Sequence, residues 1–367
     1  ENATALSQLQ LDVLSRVMSQ SPDLYTSIQI DNPEFGKLLK NLKASLSKAS
    51  RLVETKDGAG YSRMFEKTKE KLKPILKESF EESRELISVI FANKTSYALL
   101  GPTGSFSEAA LNFHDSDGRK IFLDSFEEIT KAVAGGVTDY GVIPIENSIG
   151  GGLGEALDLI YEQKLLIAKV IVLPISHCLA ALKKSSKIDI LLSHPQSFLQ
   201  TSEYVANNLP NARKVEMLSN SAAFEKIAKE GLTNAGAIGP KLAAAQYGLE
   251  VVADHIENNQ NNMTRFAVVA RRDSVKEVSG AKTSIVVIPK KDRPGLLVEI
   301  LQRLASNKIN LCKIESRPSK EKLGVYVFHL ELDGNPTQPN VKKALNKISE
   351  FTEVVSLGSY DQVSLGH

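Results

Sequence analysis

Apolar residues in the first part of the chain recur at the spacing of helical faces. Leu6, Leu9 and Val13 fall on one side of a helix, and Leu38 and Leu42 fall on one side of another. Glycine is rare in this region, and apolar β-branched residues do not alternate with polar ones, which disfavours strands. We therefore predict an all-α segment over residues 1–95, which buries its apolar stripe against another subunit or domain.

From residue 96 the pattern changes to short apolar runs that alternate with helical stretches. The runs at 96–100, 140–145, 168–173, 235–238 and 265–269 are typical of buried strands. Strands and helices in alternation predict an α/β fold. Residues 96–271 are enough for two lobes with a cleft between them, and we expect the second lobe at residues 174–251.

A polar hinge at residues 271–280 leads to a last predicted domain over residues 282–360. Its predicted order is strand, helix, strand, strand, helix and strand, with helices at 296–306 and 338–348. This order is the ferredoxin-like βαββαβ pattern. We expect a domain of this kind to sense a ligand rather than to carry out chemistry.

The composition of the 367 residues is that of a globular protein, with 42% hydrophobic and 24% charged residues. The 45 basic and 43 acidic residues are interspersed, so the charge pattern favours neither nucleic acid nor a membrane surface as a partner. We expect small molecules or protein subunits instead. No apolar run approaches the roughly 18 residues of a membrane span, and the N-terminus lacks the order of a signal peptide.

The two cysteines, Cys178 and Cys312, each lie within an apolar run and are far apart in sequence. This argues against a disulfide framework or a zinc site. We expect two buried, unreactive thiols in a reducing cytoplasm. The chain begins at Glu1, which indicates a processed protein or a piece of a longer one.

Four short polar loops stand directly before predicted helices, at residues 104–107, 146–148, 193–196 and 220–221. In an open α/β sheet, ligands bind beyond the carboxyl ends of the strands, where helix N-termini offer free amides, so a carboxylate is the expected ligand. No Lys follows Gly104, which disfavours a phosphate-binding loop. For each loop alone, helix capping is the simpler explanation. Glu146 is open between pairing, capping and chemistry.

A further polar stretch at residues 258–266 sets a row of amides, the hydroxyl of Thr264 and the guanidinium of Arg265 at the start of an apolar strand. Together with the loops, it resembles the motifs of the prephenate dehydratase family in order and spacing. The matching segments are GPTGSFS at 101–107, PIENS at 144–148, SHPQ at 193–196 with Gln200, and TRF at 264–266.

The resemblance covers residues 96–358 and includes the regulatory ACT domain of this family, marked by PGLLV at 294–298 and ESRP at 315–318. It implies an α/β catalytic region with two lobes, similar to the periplasmic binding proteins, followed by a ferredoxin-like ACT domain. Residues 21–33 look like the helical C-terminal dimerisation region of prephenate dehydrogenases. The glycine cluster at 150–154 fails the dinucleotide fingerprint because Glu155 occupies its last position, so we expect no NAD-binding domain.

The family resemblance implies the conversion of prephenate to phenylpyruvate, with loss of water and carbon dioxide and with no metal or organic cofactor. Thr264 is then the donor to the departing hydroxyl, with Asn147, Ser193 and Gln200 as polar partners at the catalytic centre. The implied substrate-binding residues are Ser105, Ser107, Glu146, Ser148, Ser221 and Arg265.

Arg265 stays open between a charge for a substrate carboxylate and a structural ion pair with Glu146 or another acid. His194 is open between a general base and a loop or capping residue, of which we favour the second. We expect His177 to be structural and Phe266 to belong to the core.

The implied effector is L-phenylalanine, which inhibits by feedback at the ACT domain. The implied effector-binding residues are Pro294, Gly295, Leu296, Leu297, Val298, Glu315, Ser316, Arg317 and Pro318. The alternative for Glu315 and Arg317 is a pairing across a dimer interface. We expect a homodimer or a homotetramer.

Two other functions stay open. One is an arogenate dehydratase, which performs the same reaction on the aminated substrate. The other is a non-catalytic amino-acid-sensing protein that shares the two-lobed architecture. The presence of Thr264, Asn147 and Gln200 argues against the sensor.

Overall fold

The computed structural model describes residues 94–184, 187–275, 280–291, 293–318 and 326–365. The predicted all-α segment, including the stretch that looks like a dehydrogenase dimerisation region, lies outside them apart from residues 94 and 95. Within the described residues, no helix is long and apolar enough to cross a membrane.

Strands and helices alternate along most of the described chain. The strands are β1 Ser96–Leu100, β2 Arg119–Leu123, β3 Tyr140–Asn147, β4 Gly151–Gly152, β5 Leu165–Pro174, β6 Cys178–Ala181, β7 Ile190–Ser193, β8 Arg213–Glu216, β9 Ala235–Gly239, β10 Glu250–Ala253, β11 Met263–Arg271, β12 Lys282–Pro289, β13 Leu311–Pro318, β14 Tyr326–Asp333, β15 Thr352–Tyr360 and β16 Gln362–Ser364. The helices are α1 Phe106–His114, α2 Phe126–Ala134, α3 Gly154–Glu162, α4 Pro195–Gln200, α5 Ser202–Asn208, α6 Asn220–Glu230, α7 Lys241–Gln246, α8 Leu296–Ser306 and α9 Pro339–Ser349.

The first lobe is built on a mixed sheet in the order β16-β5-β11-β3-β1-β2, with β4 paired to β3. The central strands of this sheet are buried on both faces. Leu111 of α1 packs with Leu99 and Phe266 on one face, whereas Ile129 of α2 packs with Ala267 on the other. Because both faces are covered, the central strands form unbroken apolar runs rather than an alternating pattern.

The second lobe is a separate sheet in the order β10-β6-β9-β7-β8. Phe224 and Ile227 of α6 pack on one side of it, and Phe198 of α4 and Val205 of α5 belong to the core on the other side. The chain passes between the lobes twice, from β5 to β6 and from β10 to β11. Two crossings between two sheets leave a cleft, so the predicted two-lobed α/β class is confirmed.

The C-terminal domain has an antiparallel sheet in the order β13-β14-β12-β15, with Ile300 of α8 and Val341 of α9 in the core on one face. This confirms the predicted ferredoxin-like pattern. The other face packs against the first lobe, because Val286, Leu357 and Tyr360 share a core cluster with residues of α2 and α3. After β15 the chain returns as β16, which pairs parallel to β5 of the first lobe.

One expectation from the sequence is wrong. Cys178 is fully buried as predicted, and burial raises the pKa of its thiol to about 12, but Cys312 is exposed. Cys312 lies on β13, the outer strand of its sheet, where side chains alternate between covered and open positions. The apolar run that contains Cys312 therefore belongs to a half-exposed edge strand.

Candidate active site

A cavity of about 380 Å³ lies between the two lobes. It is bordered by the loops that the sequence singled out, because those loops follow strands whose ends meet at the cleft. From the first lobe it is lined by Ser105, Phe106, Ser107, Asn147 and Thr264, among others. From the second lobe and the crossing before it, the lining includes His177, His194, Gln196, Gln200, Asn220 and Ser221.

Thr264 and Asn147 face each other as a cross-strand pair of β11 and β3. The Asn147 amide donates from Nδ2 to Thr264 Oγ1 at 2.9 Å and to Asn262 Oδ1 at 2.8 Å. Its Oδ1 accepts from the backbone N–H groups of Ile149 and Gly150 at 3.0 and 2.8 Å. Asn147 therefore has both amide hydrogens and its oxygen engaged within the protein, and it orients the Thr264 hydroxyl.

The Thr264 oxygen already accepts a hydrogen bond from Asn147, so the hydroxyl proton is left to donate elsewhere. Thr264 is 8% exposed and lines the cavity. A β-bulge follows directly, between Arg265 and Phe266, and bulges commonly re-aim side chains beside functional sites. The local geometry thus suits a hydrogen-bond donor at the cavity wall.

Gln200 lines the cavity next to His177, whose Nε2 lies 2.8 Å from Gln200 Oε1. The His177 ring is 1% exposed and stands edge-on to Phe106 with ring centroids 5.5 Å apart. Burial lowers the pKa of His177, although the hydrogen bond to Gln200 and the charge of Glu257 act in the opposite direction. The imidazole is therefore neutral at pH 7.

The N-termini of α1 and α6 both lie at the cavity. Ser105 caps α1 by accepting from the Glu108 N–H at 3.3 Å, and Ser107 in its first turn is 5% exposed. Ser219 caps α6, and Ser221 in its first turn is 1% exposed. Ser105, Ser107 and Ser221 all line the cavity, where the positive ends of the two helix dipoles favour an anion.

Ser193 is fully buried and does not line the cavity. Its hydroxyl lies within donating distance of two acceptors, Ile238 O at 2.8 Å and Asn220 Oδ1 at 3.1 Å, which share its one proton. Asn220 Oδ1 also accepts from His194 N and from Ser197 Oγ. Ser193 thus supports Asn220, a cavity residue that lies in one of the four polar loops but is not among the candidate site residues predicted from the sequence. Its position at the start of a helix was the available signal.

Arg265 and Glu146 also lie away from the cavity. The Arg265 guanidinium donates from Nη1 to Glu146 at 2.7 Å and from Nη2 to Glu331 of the C-terminal domain at 2.7 Å. Burial would lower the pKa of Arg265, but the two carboxylates outweigh it and raise the pKa. The ion pair with Glu146 that the sequence left open is present, and Glu331 adds a partner 66 residues away that has no local sequence signal.

Three further motif residues have structural contacts. Ser148 Oγ accepts from the Met263 N–H at 2.9 Å and so ties the loop after β3 to β11. His194 caps α4, because its Nδ1 accepts from the Gln196 N–H at 3.2 Å. Phe266 is 2% exposed and belongs to the core, although it also borders the cavity.

The cavity lining, all of it within the described residues, contains no Lys, Arg, Asp or Glu. Its polar groups are hydroxyls, amides, two imidazoles and helix N-termini. In the same part of the chain, no group of three or more His, Cys, Asp or Glu residues is arranged to hold a metal ion. The site can bind a small anion with neutral donors and can present one fixed hydroxyl to it.

The effector motifs lie at two places in the C-terminal domain. Gly295 precedes α8 with a φ of 81°, in the left-handed region that favours glycine. On β13, Arg317 pairs with Asp158 of α3 at 2.9 Å in the same chain. A Cβ on Gly154 would lie 2.7 Å from Arg317 Cζ, and it would also meet Glu315. This segment of β13 therefore packs directly on the glycine-rich turn that follows Asn147.

Two lobes around an uncharged polar cleft, with a βαββαβ domain packed on the first lobe, define a two-lobed α/β protein with a cleft suited to a small anion and an attached ferredoxin-like domain. The family model for prephenate dehydratase matches residues 97–274, and the ACT domain model matches residues 290–350. The chain belongs to the prephenate dehydratase family.

The relatives agree with this family. A bifunctional chorismate mutase/prephenate dehydratase of Aquifex aeolicus is 37% identical over 287 residues, or 77% of this chain and 78% of the relative. The prephenate dehydratase of Methanocaldococcus jannaschii is 34% identical over 266 residues, or 71% of this chain and 95% of the relative. The solved prephenate dehydratase of Arthrobacter aurescens in complex with L-Phe has a TM-score of 0.67 at 34% identity, covering 73% of this chain and 90% of that one.

Proposed function

We propose that this chain converts prephenate to phenylpyruvate and that L-phenylalanine inhibits it through the ACT domain. The observation that carries the catalytic proposal is the pair of Asn147 and Thr264 at the cavity wall. The Asn147 amide donates a hydrogen bond to the Thr264 oxygen, so the Thr264 hydroxyl proton is left to donate to a group in the cavity. The family match and the named relatives support the same reaction.

The reaction breaks two bonds that join the substrate ring to its substituents. The bond from C1 to its carboxylate breaks and releases carbon dioxide, and its electron pair enters the ring, which becomes aromatic. The bond from C4 to oxygen breaks with its electron pair on oxygen, which leaves as water once it gains a proton. Thr264 would donate a hydrogen bond to that oxygen, and the proton comes from water. Removal of one positioned hydrogen-bond donor of this kind typically costs about 10²–10³-fold in kcat.

The uncharged lining fits the decarboxylation. A cation held against the C1 carboxylate would stabilise the ground state, and that stabilisation would be lost as neutral carbon dioxide forms. We assign the pyruvyl carboxylate to the N-termini of α1 and α6, where Ser107 and Ser221 lie. We assign Gln200 to the substrate, and we assign Ser193, Glu146, Ser148 and Arg265 to support of the site.

Prephenate is favoured over arogenate by the same lining. Arogenate carries an ammonium group where prephenate carries a keto group, and a buried ammonium needs a carboxylate or several acceptors. No Asp or Glu borders the cavity in the described residues. A side-by-side assay with the two substrates tests this. We expect kcat/KM for prephenate to exceed that for arogenate by at least tenfold, and the reverse order would make the chain an arogenate dehydratase. Turnover of neither would indicate a sensor.

The effector proposal rests on the ACT domain match and on the L-Phe complex of the Arthrobacter aurescens relative. The proposed effector residues remain residues 294–298 and 315–318. The packing of Glu315 and Arg317 on the turn at Gly152 and Gly154 offers a direct path to the cavity, because that turn follows Asn147. Effector binding that moves β13 would then move the turn.

Equilibrium dialysis tests the effector proposal. We expect L-phenylalanine to bind and to lower the rate of phenylpyruvate formation, and no binding at millimolar ligand would refute it. For this function we propose a cytoplasmic location, consistent with two unpaired thiols. We also propose a homodimer or homotetramer, which sedimentation can test.

A further inference from the structure

The proposed reaction gives His177 no role, yet it is a buried polar side chain at the cavity. Its ring is 1% exposed and lines the cavity. Nε2 lies 2.8 Å from Gln200 Oε1, whereas Nδ1 is buried and has no hydrogen-bond partner among the described residues. Nε2 is therefore held by Gln200, and Nδ1 has no hydrogen bond within the described residues.

The contact between His177 Nε2 and Gln200 Oε1 fixes the tautomer of the imidazole and the orientation of the Gln200 amide. An amide oxygen can only accept a hydrogen bond, so the neutral imidazole must carry its proton on Nε2. Nδ1 is then an unprotonated acceptor. Gln200, with its oxygen held by His177, has to turn its amide NH₂ group away from the ring. The Gln200 side chain is thereby set as a donor with one orientation.

The backbone of His177 does not need the ring. Its N–H donates to Glu257 Oε2 at 2.8 Å, and its carbonyl accepts from the Ile256 N–H at 3.0 Å. These contacts hold the crossing between the lobes whatever the side chain is. The imidazole itself contacts Gln200 and the ring of Phe106, so we expect its effect on the cavity to pass through Gln200, which also lines it.

We propose that His177 is a positioning residue, which as the Nε2–H tautomer turns the Gln200 amide so that its NH₂ group donates to the substrate. The effect on turnover rests on the proposed function, since Gln200 is assigned there to the substrate. The tautomer and the orientation of Gln200 do not rest on it. This replaces the expectation that His177 is only structural.

A matched pair of variants tests the proposal. In His177→Gln the new amide nitrogen reaches as far as Nε2 and can still donate to Gln200, whereas in His177→Asn it reaches only as far as Nδ1. Both lose the ring contact with Phe106 equally. We expect His177→Asn to lower kcat/KM for prephenate by about tenfold or more, as misplacement of a binding group does, and His177→Gln to recover most of that loss. Equal losses in the two variants would overturn the proposal.

A double-variant cycle gives a second readout. If His177 acts through Gln200, adding His177→Asn to Gln200→Ala costs little beyond Gln200→Ala alone. Independent, multiplying losses would contradict the coupling. His114→Phe is the control for the loss of a half-buried imidazole that stands edge-on to an aromatic ring, because His114 contacts Tyr97 away from the cavity. We expect that variant to keep the parent kcat/KM.

The tautomer itself can be observed without substrate. Nitrogen NMR of ¹⁵N-histidine-labelled protein should show His177 with a protonated Nε2 and an unprotonated Nδ1 at pH 7, assigned by the loss of that signal in His177→Gln. A protonated Nδ1 with an unprotonated Nε2 would overturn the proposal, because Gln200 would then donate its NH₂ group to His177 and present its oxygen to the cavity. Failure of the parent to use prephenate would instead refute the proposed function and leave this readout intact.

Discussion

One buried carboxylate, Glu331, links the ACT domain to the catalytic region through Arg265. It is 4% exposed and accepts from Arg265 at 2.7 Å and from the Tyr360 hydroxyl at 2.9 Å. Arg265 directly follows Thr264, and its other partner, Glu146, directly precedes Asn147. We predict that Glu331→Ala destabilises the chain and lowers kcat.

The magnitude follows from the contacts that are lost. A hydrogen bond to a charged group contributes about 1.5–3 kcal/mol, and leaving a buried polar group unpaired costs about 1–3 kcal/mol. Breaking a buried ion pair from one side costs about 3–5 kcal/mol in total. Because Arg265 keeps Glu146 and Tyr360 keeps Ser284, we expect the lower end of that range, about 3 kcal/mol.

Urea unfolding followed by far-ultraviolet circular dichroism measures the loss, since the chain contains no tryptophan for fluorescence. The control is Glu230→Ala, which breaks an exposed pair with Lys226 on one helix, worth about 0.3–0.5 kcal/mol. A midpoint shift for Glu331→Ala no larger than that of Glu230→Ala, with unchanged kcat, would refute the reasoning. It would mean that Glu146 alone holds the guanidinium.

Two other predictions concern the contact between the lobes. Glu108 of the first lobe accepts hydrogen bonds from the Gly104 N–H, from Thr103 and from Gln246 of the second lobe. Burial would raise the pKa of Glu108, but these hydrogen bonds and the Lys120 ammonium outweigh it and lower the pKa below its ordinary value of 4.5. The ionised Glu108 therefore stabilises the fold fully above pH 4.5, and this stabilisation is lost as the pH falls through the folded pKa. The free energy of unfolding of Glu108→Gln should thus lie below that of the parent by an amount that shrinks below pH 4.5. A difference that stays constant with pH would contradict the prediction. Gly104→Ala should lower both stability and kcat/KM, because at a φ of 82° its Cβ would lie 2.7 Å from Ala243 Cα. Gly248→Ala, at a φ of 67° with open space around it, is the control, and equal effects on kcat/KM would contradict a role for lobe contact.

The sequence predicted those parts of the site that local chemistry determines. Ser105 immediately precedes a helix, and Ser221 lies in the first turn of another. Polar residues at helix starts can be recognised from the sequence alone. Thr264 and Asn147 were each visible as polar residues at strand ends. Their pairing as cross-strand neighbours required the antiparallel register of β11 and β3, which the strand pattern does not specify.

Contacts between segments that are distant in the chain could not be predicted from the sequence. The sequence around Glu331 gives no sign of a special role in its ACT-domain strand. Glu331 contacts Arg265 only because the ACT domain packs on the first lobe. In the same way, Ser193 was selected from its motif, and the packing of α6 shows that its hydroxyl acts on Asn220. Cys312 was misjudged because an apolar run does not reveal which strand of a sheet is the edge.

The central claim is that the Thr264 hydroxyl, oriented by Asn147, assists the departure of the substrate hydroxyl. Phenylpyruvate formation by Thr264→Ala and Thr264→Ser, measured on variants with parental circular dichroism spectra, tests it most directly. We predict a fall in kcat of about 10²-fold or more for the alanine variant, as the loss of one positioned hydrogen-bond donor causes, and a much smaller fall for serine, which keeps the hydroxyl. An alanine variant within a few-fold of the parent would contradict it.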